Sequence, residues 1–400
     1  MKVLLAHDHY RSSAPSGEDA AFRNERTLLE RNGDTVIPFE RFNDDIDESG
    51  LGKRIRLALE GAWSARTYDE LSSLLRRVRP NVAHFHNTFP LISPSAYAAC
   101  RDFGVPVVQT LHNYRLVCAG ALLTRNGQPC EDCLGTSLLP ALRHRCYRGS
   151  FTATGAVVWM LASNRARRVY LTLVNRYIAL TRFAASKFIA GGLPPVRIEV
   201  KPNFLPDPPS AGSGDGGYAV YVGRLSEEKG VRTLFDAWRA LDGFRLKILG
   251  EGPLRQELEM RARDANIAVE FLGFRPRDEV LDAVARAAFA AVPSECYEGF
   301  PMVALEAYAC GTPIVASRLG SLDEIVDDGV SGIKFDPGNA GDLAAKVTAL
   351  LADRQALRAM RTRTRALFDE NYTAERNYAR LLEIYQAARD SSRDAPARAG

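Results

Sequence analysis

The stretch Ser294-Glu-Cys-Tyr-Glu-Gly-Phe-Pro-Met-Val-Ala-Leu-Glu-Ala-Tyr-Ala-Cys-Gly-Thr-Pro313 decides how the rest of the chain is read. An apolar run, Ala287 to Val292, precedes it and reads as a buried strand. The chain then turns through Glu298-Gly299-Phe300-Pro301 into a helix. Pro301 suits the first helical turn, where its missing N–H is not needed and its φ is already helical. Gly311 stands where a C-terminal cap belongs, Thr312-Pro313 prevents continuation, and a strand begins at Ile314. Free N–H groups and the positive dipole end at the start of that helix suit a phosphate or another polar ligand. Glu298 lies in the loop and Glu306 on the helix. Two carboxylates beside an anion site make sense if they bind hydroxyl groups next to a phosphate, as a sugar nucleotide requires. Spacing alone does not separate this from an ordinary strand–helix–strand unit with two surface glutamates.

At 400 residues and 46% apolar composition, two domains with substantial cores are expected. Met1 to Ala6 is a short strand rather than a signal peptide, and Ala156 to Ala162 falls far short of a membrane span. A cytoplasmic protein is expected, with any membrane contact peripheral. The net charge of +4 hides an asymmetry. Residues 51–200 carry 20 Lys/Arg against 7 Asp/Glu, whereas residues 201–400 carry 26 against 30. The basic part suits an anionic membrane surface or a pyrophosphate-linked acceptor, or is a solvated arginine-rich surface. No nucleic-acid-binding motif accompanies the charge.

The first half opens as a doubly wound α/β domain: strand Lys2 to Ala6, a loop, a helix capped by Ser16 with Asp19 three residues on, then strand Thr35 to Phe39. Gly17 at that helix start would admit a phosphate. Residues 44–79 read as helical, and strands at 82–86 and 105–110 end in His86-Asn87 and His112-Asn113. In open α/β sheets ligands lie beyond the carboxyl ends of the strands, so His86, Asn87 and Asn113 are acceptor-side candidates. Cys118, Cys130, Cys133 and Cys146, within an insertion of about 115–150, have spacings compatible with a structural zinc site or with four unligated thiols. Residues 205–217, rich in Pro, Gly and Ser, read as the linker after a domain of residues 1–204. The second domain, residues 218–370, opens with strand Tyr218 to Val222 and Gly223-Arg224-Leu-Ser-Glu-Glu-Lys229-Gly230. Two cations in one glycine-bracketed loop suit a diphosphate. Strands then end at Gly250 and at Gly273-Phe274-Arg275. An amphipathic helix at 371–390 and a disordered tail at 391–400 complete the expectation.

Together, Glu-Gly-Phe-Pro, the seven residues between Glu298 and Glu306, Gly-Thr-Pro-Ile-Val-Ala-Ser and G-R-x5-K-G resemble the donor-site signature of the retaining group 1 (family 4) glycosyltransferases. Thr110-Leu-His-Asn-Tyr114 is similar to that family's strand-end motif. The resemblance implies a GT-B fold: two Rossmann-like domains facing a cleft, acceptor side first and nucleotide-sugar side second, with the last helix crossing back to the first domain. It implies transfer of a sugar from a nucleoside diphosphate to a glycan or lipid-linked hydroxyl with retention, in polysaccharide or glycolipid assembly. No catalytic metal is implied. Arg224 and Lys229 would hold the pyrophosphate, Glu298 the sugar with the Gly299 and Phe300 amides, and Glu306 the ribose. Gly223, Gly250, Phe274 and Arg275 would line the nucleotide, and His112 would face the reacting sugar. Ser-Gly-Glu-Asp replaces the family's double glycine near Gly17, and Gly320-Ser-Leu-Asp-Glu324 departs from Gly-Gly-x-Pro-Glu. A sugar-nucleotide epimerase on the same fold and a non-catalytic sugar-nucleotide-binding subunit are the alternatives.

Overall fold

The computed structural model describes every residue except 14, 15, 48, 242 and 394–400. The chain divides into two compact units. One comprises residues 1–122, 131–202 and 375–400, the other residues 123–130 and 203–374.

The first unit is built on six parallel strands: β1 (Lys2–His9), β2 (Thr35–Phe42), β3 (Val82–Phe85), β4 (Val107–Leu111), β7 (Arg176–Ala179) and β8 (Ile198–Val200), in the order β2-β1-β3-β4-β7-β8. The two short strands between them in sequence, β5 (Thr124–Arg125) and β6 (Gln128–Pro129), form a hairpin in the second unit. β1 and β3 are buried on both faces, which is why Val3 to Ala6 reads as a continuous apolar run rather than an alternating one. The helix Gly17–Arg31 starts where expected, in a capping box of Ser16 and Asp19. The helical stretch expected over 44–79 is two helices, Leu51–Ala62 and Ala65–Val78.

The second unit repeats the plan with β9 (Tyr218–Val222), β10 (Arg245–Leu249), β11 (Val269–Gly273), β12 (Phe289–Val292), β13 (Ile314–Ser317) and β14 (Gly332–Phe335), in the order β11-β10-β9-β12-β13-β14. Trp238, Phe235, Phe289 and Phe335 fill its core. Each sheet has one point where the strand order reverses, between β1 and β3 and between β9 and β12, and such points are where ligands settle.

Two expectations change. Residues 205–217 are not a free linker: Gly212 and Gly216 N–H groups donate to the carbonyls of Cys310 and Arg286 at 2.8 and 2.9 Å, and Arg361 grips the Gly212 and Ala285 carbonyls. A side chain on Gly212 would lie 2.1 Å from the Ala285 oxygen, so glycine is set there by close backbone approach rather than flexibility. The final helix, Ala374–Arg393, runs into the stretch expected to be a disordered tail; residues 394–400 lie outside the described ones. Its Leu381, Ile384, Tyr385 and Ala388 pack on Val3, Leu5 and Phe22 of the first unit. Among the described residues no helix is long and apolar enough to cross a membrane.

Candidate functional site

In the second unit the ends of β9 and β12 carry the decisive groups. β9 runs into Gly223-Arg224 and β12 into Pro293–Pro301, followed by the helix Met302–Ala309. The two loops are sewn together: the Glu295 N–H donates to the Glu228 carbonyl at 2.9 Å and Thr233 Oγ1 donates to Glu295 at 2.5 Å. Gly230 sits at φ +65°, and a side chain there would come 1.9 Å from the Pro293 oxygen. This contact presents Lys229 to Glu298. Lys229 Nζ and Ser294 Oγ both donate to Glu298 Oε1, each at 2.6 Å. Burial would raise the Glu298 carboxyl, but the Lys229 ammonium prevails and holds it below the usual carboxylate range. A pre-formed ion pair thus stands at the reversal point of the sheet.

Glu306, one turn and a half down the helix, lies in a different environment. Burial pushes its carboxyl up to about 7, with the Arg277 charge opposing the rise. Arg224 is exposed and ion-pairs with none of the described residues, so its charge faces outward from the same loop as Lys229. Gly223, Gly250 and Gly273 end three adjacent strands, the Gly223 N–H donating to Leu249 and the Gly250 N–H to Gly273. A side chain on Gly250 would meet the Gly223 oxygen at 2.0 Å. Beyond them Phe274 is 74% exposed, a bare ring beside a backbone edge. Arg275 is spent locally, donating to the Leu272 carbonyl at 3.0 Å and facing Glu279. Phe300 turns its ring inward against Tyr372, leaving only its backbone for a ligand, and Pro301 is the helix cap rather than its first residue.

The first unit gathers a buried polar cluster at the ends of β1, β3 and β4. His112 and His86 meet at 2.8 Å, His86 reaches Glu25 at 3.1 Å, and Lys201 donates to Glu25 and Asn377 at 3.0 Å each. With the Glu25 carboxylate taking Nε2–H of His86, His86 Nδ1 accepts from Nε2–H of His112, which leaves His112 Nδ1 without a proton. Burial and the neighbouring His86 keep His112 far below the usual histidine range, so it is a neutral acceptor. It lines a pocket enclosing about 330 Å³ of empty space, mouth included, with Glu18, His86, Asn113 and Arg115.

Sequence reading missed Glu18. Its Oε1 accepts from Asn113 Nδ2 at 2.8 Å, the Tyr10 hydroxyl faces the same carboxyl, and burial pushes it up to about 7. Its signal was only its position two residues after the helix cap. Asn87 lines the same pocket and also holds its loop: Nδ2 donates to the Asp8 and Phe89 carbonyls and Oδ1 accepts from the Phe89 N–H. Gly17 is exposed at the start of its helix.

The four cysteines do not assemble into one ligand set. Among the described residues no group of three with ligand atoms within 4.8 Å includes a cysteine; Cys133 and Cys146 pack in an apolar cluster, and the Cys130 N–H donates to the Leu123 carbonyl at 2.7 Å. Among the described residues, the only groups of three with ligand atoms within 4.8 Å are His7-His9-Asp19 and Glu25-His84-His86. Neither suits a cation. In the second, Lys201 already supplies the positive charge. In the first, His7 Nδ1 accepts the Asn87 N–H, which leaves Nε2 carrying the proton it gives to Asp19.

Both halves of the chain match known families. Residues 40–203 match the glycosyl transferase 4-like domain, and residues 208–367 match the glycosyl transferases group 1 family. An uncharacterized glycosyltransferase of Methanocaldococcus jannaschii is 33% identical over 178 residues, 44% of this chain and 50% of that protein. The GDP-mannose-dependent alpha-(1-6)-phosphatidylinositol monomannoside mannosyltransferase of Mycolicibacterium smegmatis is 30% identical over 237 residues, 53% of this chain and 62% of that one. The chain thus spans about half the length of the curated relatives it matches. The solved structure of HepE from Anabaena in complex with UDP and glucose shares the fold, with a TM-score of 0.68 at 18% identity, covering 97% of this chain and 100% of that one.

Proposed function

We propose that this chain, which belongs to the group 1 and 4-like glycosyltransferases of GT-B fold, transfers a sugar from a nucleoside diphosphate donor to an acceptor hydroxyl with retention of configuration. The observation that carries the reading is the Lys229–Glu298 pair at the reversal point between β9 and β12, with Glu306 eight residues on. In this reading the diphosphate takes Lys229 and Arg224, relieving Lys229 of sole duty to Glu298. Glu298, held ionised, then accepts hydrogen bonds from sugar hydroxyls, while the Gly299 and Phe300 amides add donors. Glu306 accepts from the ribose hydroxyls. Phe274 offers a face to the base, and Gly223 and Gly250 admit the nucleotide backbone. Cations fixed where the leaving diphosphate gains charge are the kind of stabilisation that lowers such barriers most. The first unit takes the acceptor, a glycan or lipid-linked alcohol, with His112 Nδ1 as acceptor of a hydroxyl. Names of relatives that use GDP-mannose or were solved with UDP support a nucleotide-sugar donor without fixing the base.

The test is release of free nucleoside diphosphate from a panel of nucleotide sugars, with and without candidate acceptors. Acceptor-dependent release supports transfer. Interconversion of the sugar without release indicates an epimerase, and tight binding without turnover a non-catalytic subunit.

A further inference from the structure

The first unit carries a second feature, unrelated to the donor chemistry. The helix Phe151–Ala166 contains no Asp, Glu, Lys or Arg from residue 151 to residue 164. Its inner side buries Val157, Met160 and Leu161. Its outer side, where a surface helix normally carries charge, presents Phe151, Trp159, Ala162 and Ala166 at spacings of eight, three and four, which fall on one face. Phe151 is 60% exposed and Trp159 45%. Helices Leu51–Ala62 and Leu139–His144 pack against it and continue the pattern, with Ile55 51%, Leu59 52% and Leu139 67% exposed. Large exposed apolar side chains on three helices packed together are the kind of surface that marks a binding face.

The charge around it has one sign. Residues 139–168 hold Arg143, Arg145, Arg148, Arg165, Arg167 and Arg168 and no Asp or Glu, and the helix Leu51–Ala62 adds Lys53, Arg54 and Arg56 against Glu60 alone. We infer that these three helices form a docking face for an anionic lipid bilayer, with Phe151, Trp159 and Leu139 entering the interface and the arginines meeting lipid phosphates. The chemistry selects this occupant. Aromatic rings beside arginines match the boundary between acyl chains and headgroups, where amphipathic surfaces lie flat. A second copy docking symmetrically would set arginines against arginines. A nucleic acid would use the arginines but gain nothing from Leu59 or Leu139.

Sedimentation of the full chain with phosphatidylcholine vesicles, with and without phosphatidylglycerol, tests this. Vesicles containing phosphatidylglycerol should carry the chain down, added salt should release it, and Trp emission should shift to the blue. Phe151→Ser with Trp159→Ser should weaken partitioning about tenfold or more, since both changes fall on exposed positions and remove apolar area from the interface. Arg143→Gln, Arg145→Gln and Arg148→Gln together should flatten the salt dependence. Circular dichroism and binding of UDP and GDP serve as fold controls, so loss of vesicle binding with nucleotide binding intact bears on this face alone. Equal sedimentation with neutral vesicles would overturn the inference. So would a serine double variant that binds like the parent, or single-stranded RNA displacing the parent from vesicles while binding the serine variant equally well.

Discussion

Glu298 and Glu306 are the same residue type eight positions apart, yet their surroundings push them in opposite directions. Glu298 is held ionised by Lys229, so it is ready to accept hydrogen bonds at any pH near neutrality. Glu298→Gln or Lys229→Ala should depress turnover about tenfold or more, each tenfold being roughly 1.4 kcal/mol of lost transition-state stabilisation. Initial rates at saturating donor measure this. Glu306 stands raised from 4.5 to about 7 by burial. The folded chain therefore binds this proton more tightly than the unfolded chain does. Its contribution to stability is full below about 4.5 and is lost as pH rises through about 7. A ribose that donates to the carboxylate favours the charged form, so nucleoside diphosphate affinity should increase as pH rises across about 7, with proton release. Titrations in buffers of different ionisation enthalpy measure that release. Glu306→Gln should lack it, and the same variant controls for the titrating phosphate.

At the scale of elements, glycines divide into those the backbone needs and those close contact needs. Gly33 has φ +80° with open space around it, whereas Gly230 has φ +65° and a carbonyl in the way. Gly33→Ala should cost about 1 kcal/mol, and Gly230→Ala roughly 2–4 kcal/mol once overpacking is added. Gly230→Ala should also weaken donor binding by shifting Lys229; urea unfolding and calorimetry check the pair. The last helix is held by its apolar stripe, so Ile384→Ala should destabilise the first unit by roughly 2–5 kcal/mol in thermal or urea unfolding. Much of this level was readable in the chain. Strands β1 to β4 and β9 to β13, the Ser16–Asp19 cap, Gly311 after its helix and the amphipathic end of the chain all follow from periodicity and cap chemistry. What escaped depends on contacts far apart in sequence. β14 is four residues long, and the hairpin at 124–129 has two-residue strands, too short for a period. The glycines of 212–216 look like a flexible linker because their partners, Ala285, Arg286 and Arg361, lie about seventy or more positions away. The cysteine spacing suggested a metal, but spacing does not fix where side chains point. The role of Asn87 was hidden for the same reason.

At the scale of the whole molecule, two sheets of similar plan carry different chemistry at their reversal points. One holds a neutral, buried histidine–carboxylate network, and the other an exposed arginine, an ion pair and a raised carboxyl. The donor-side signature was legible because its residues are close in sequence. The His112–His86–Glu25–Lys201 chain was not, because it joins residues from four separate segments. In the proposed reading Glu298 serves the sugar and Glu306 the nucleoside. Calorimetric titration of Glu298→Gln and Glu306→Gln with nucleoside diphosphate and with the intact nucleotide sugar tests it most directly. Glu298→Gln should bind the bare diphosphate nearly as the parent does and lose affinity only for the intact donor, while Glu306→Gln should lose affinity for both. If Glu298→Gln lost the bare diphosphate as severely as Glu306→Gln does, the division of roles between the two would be contradicted.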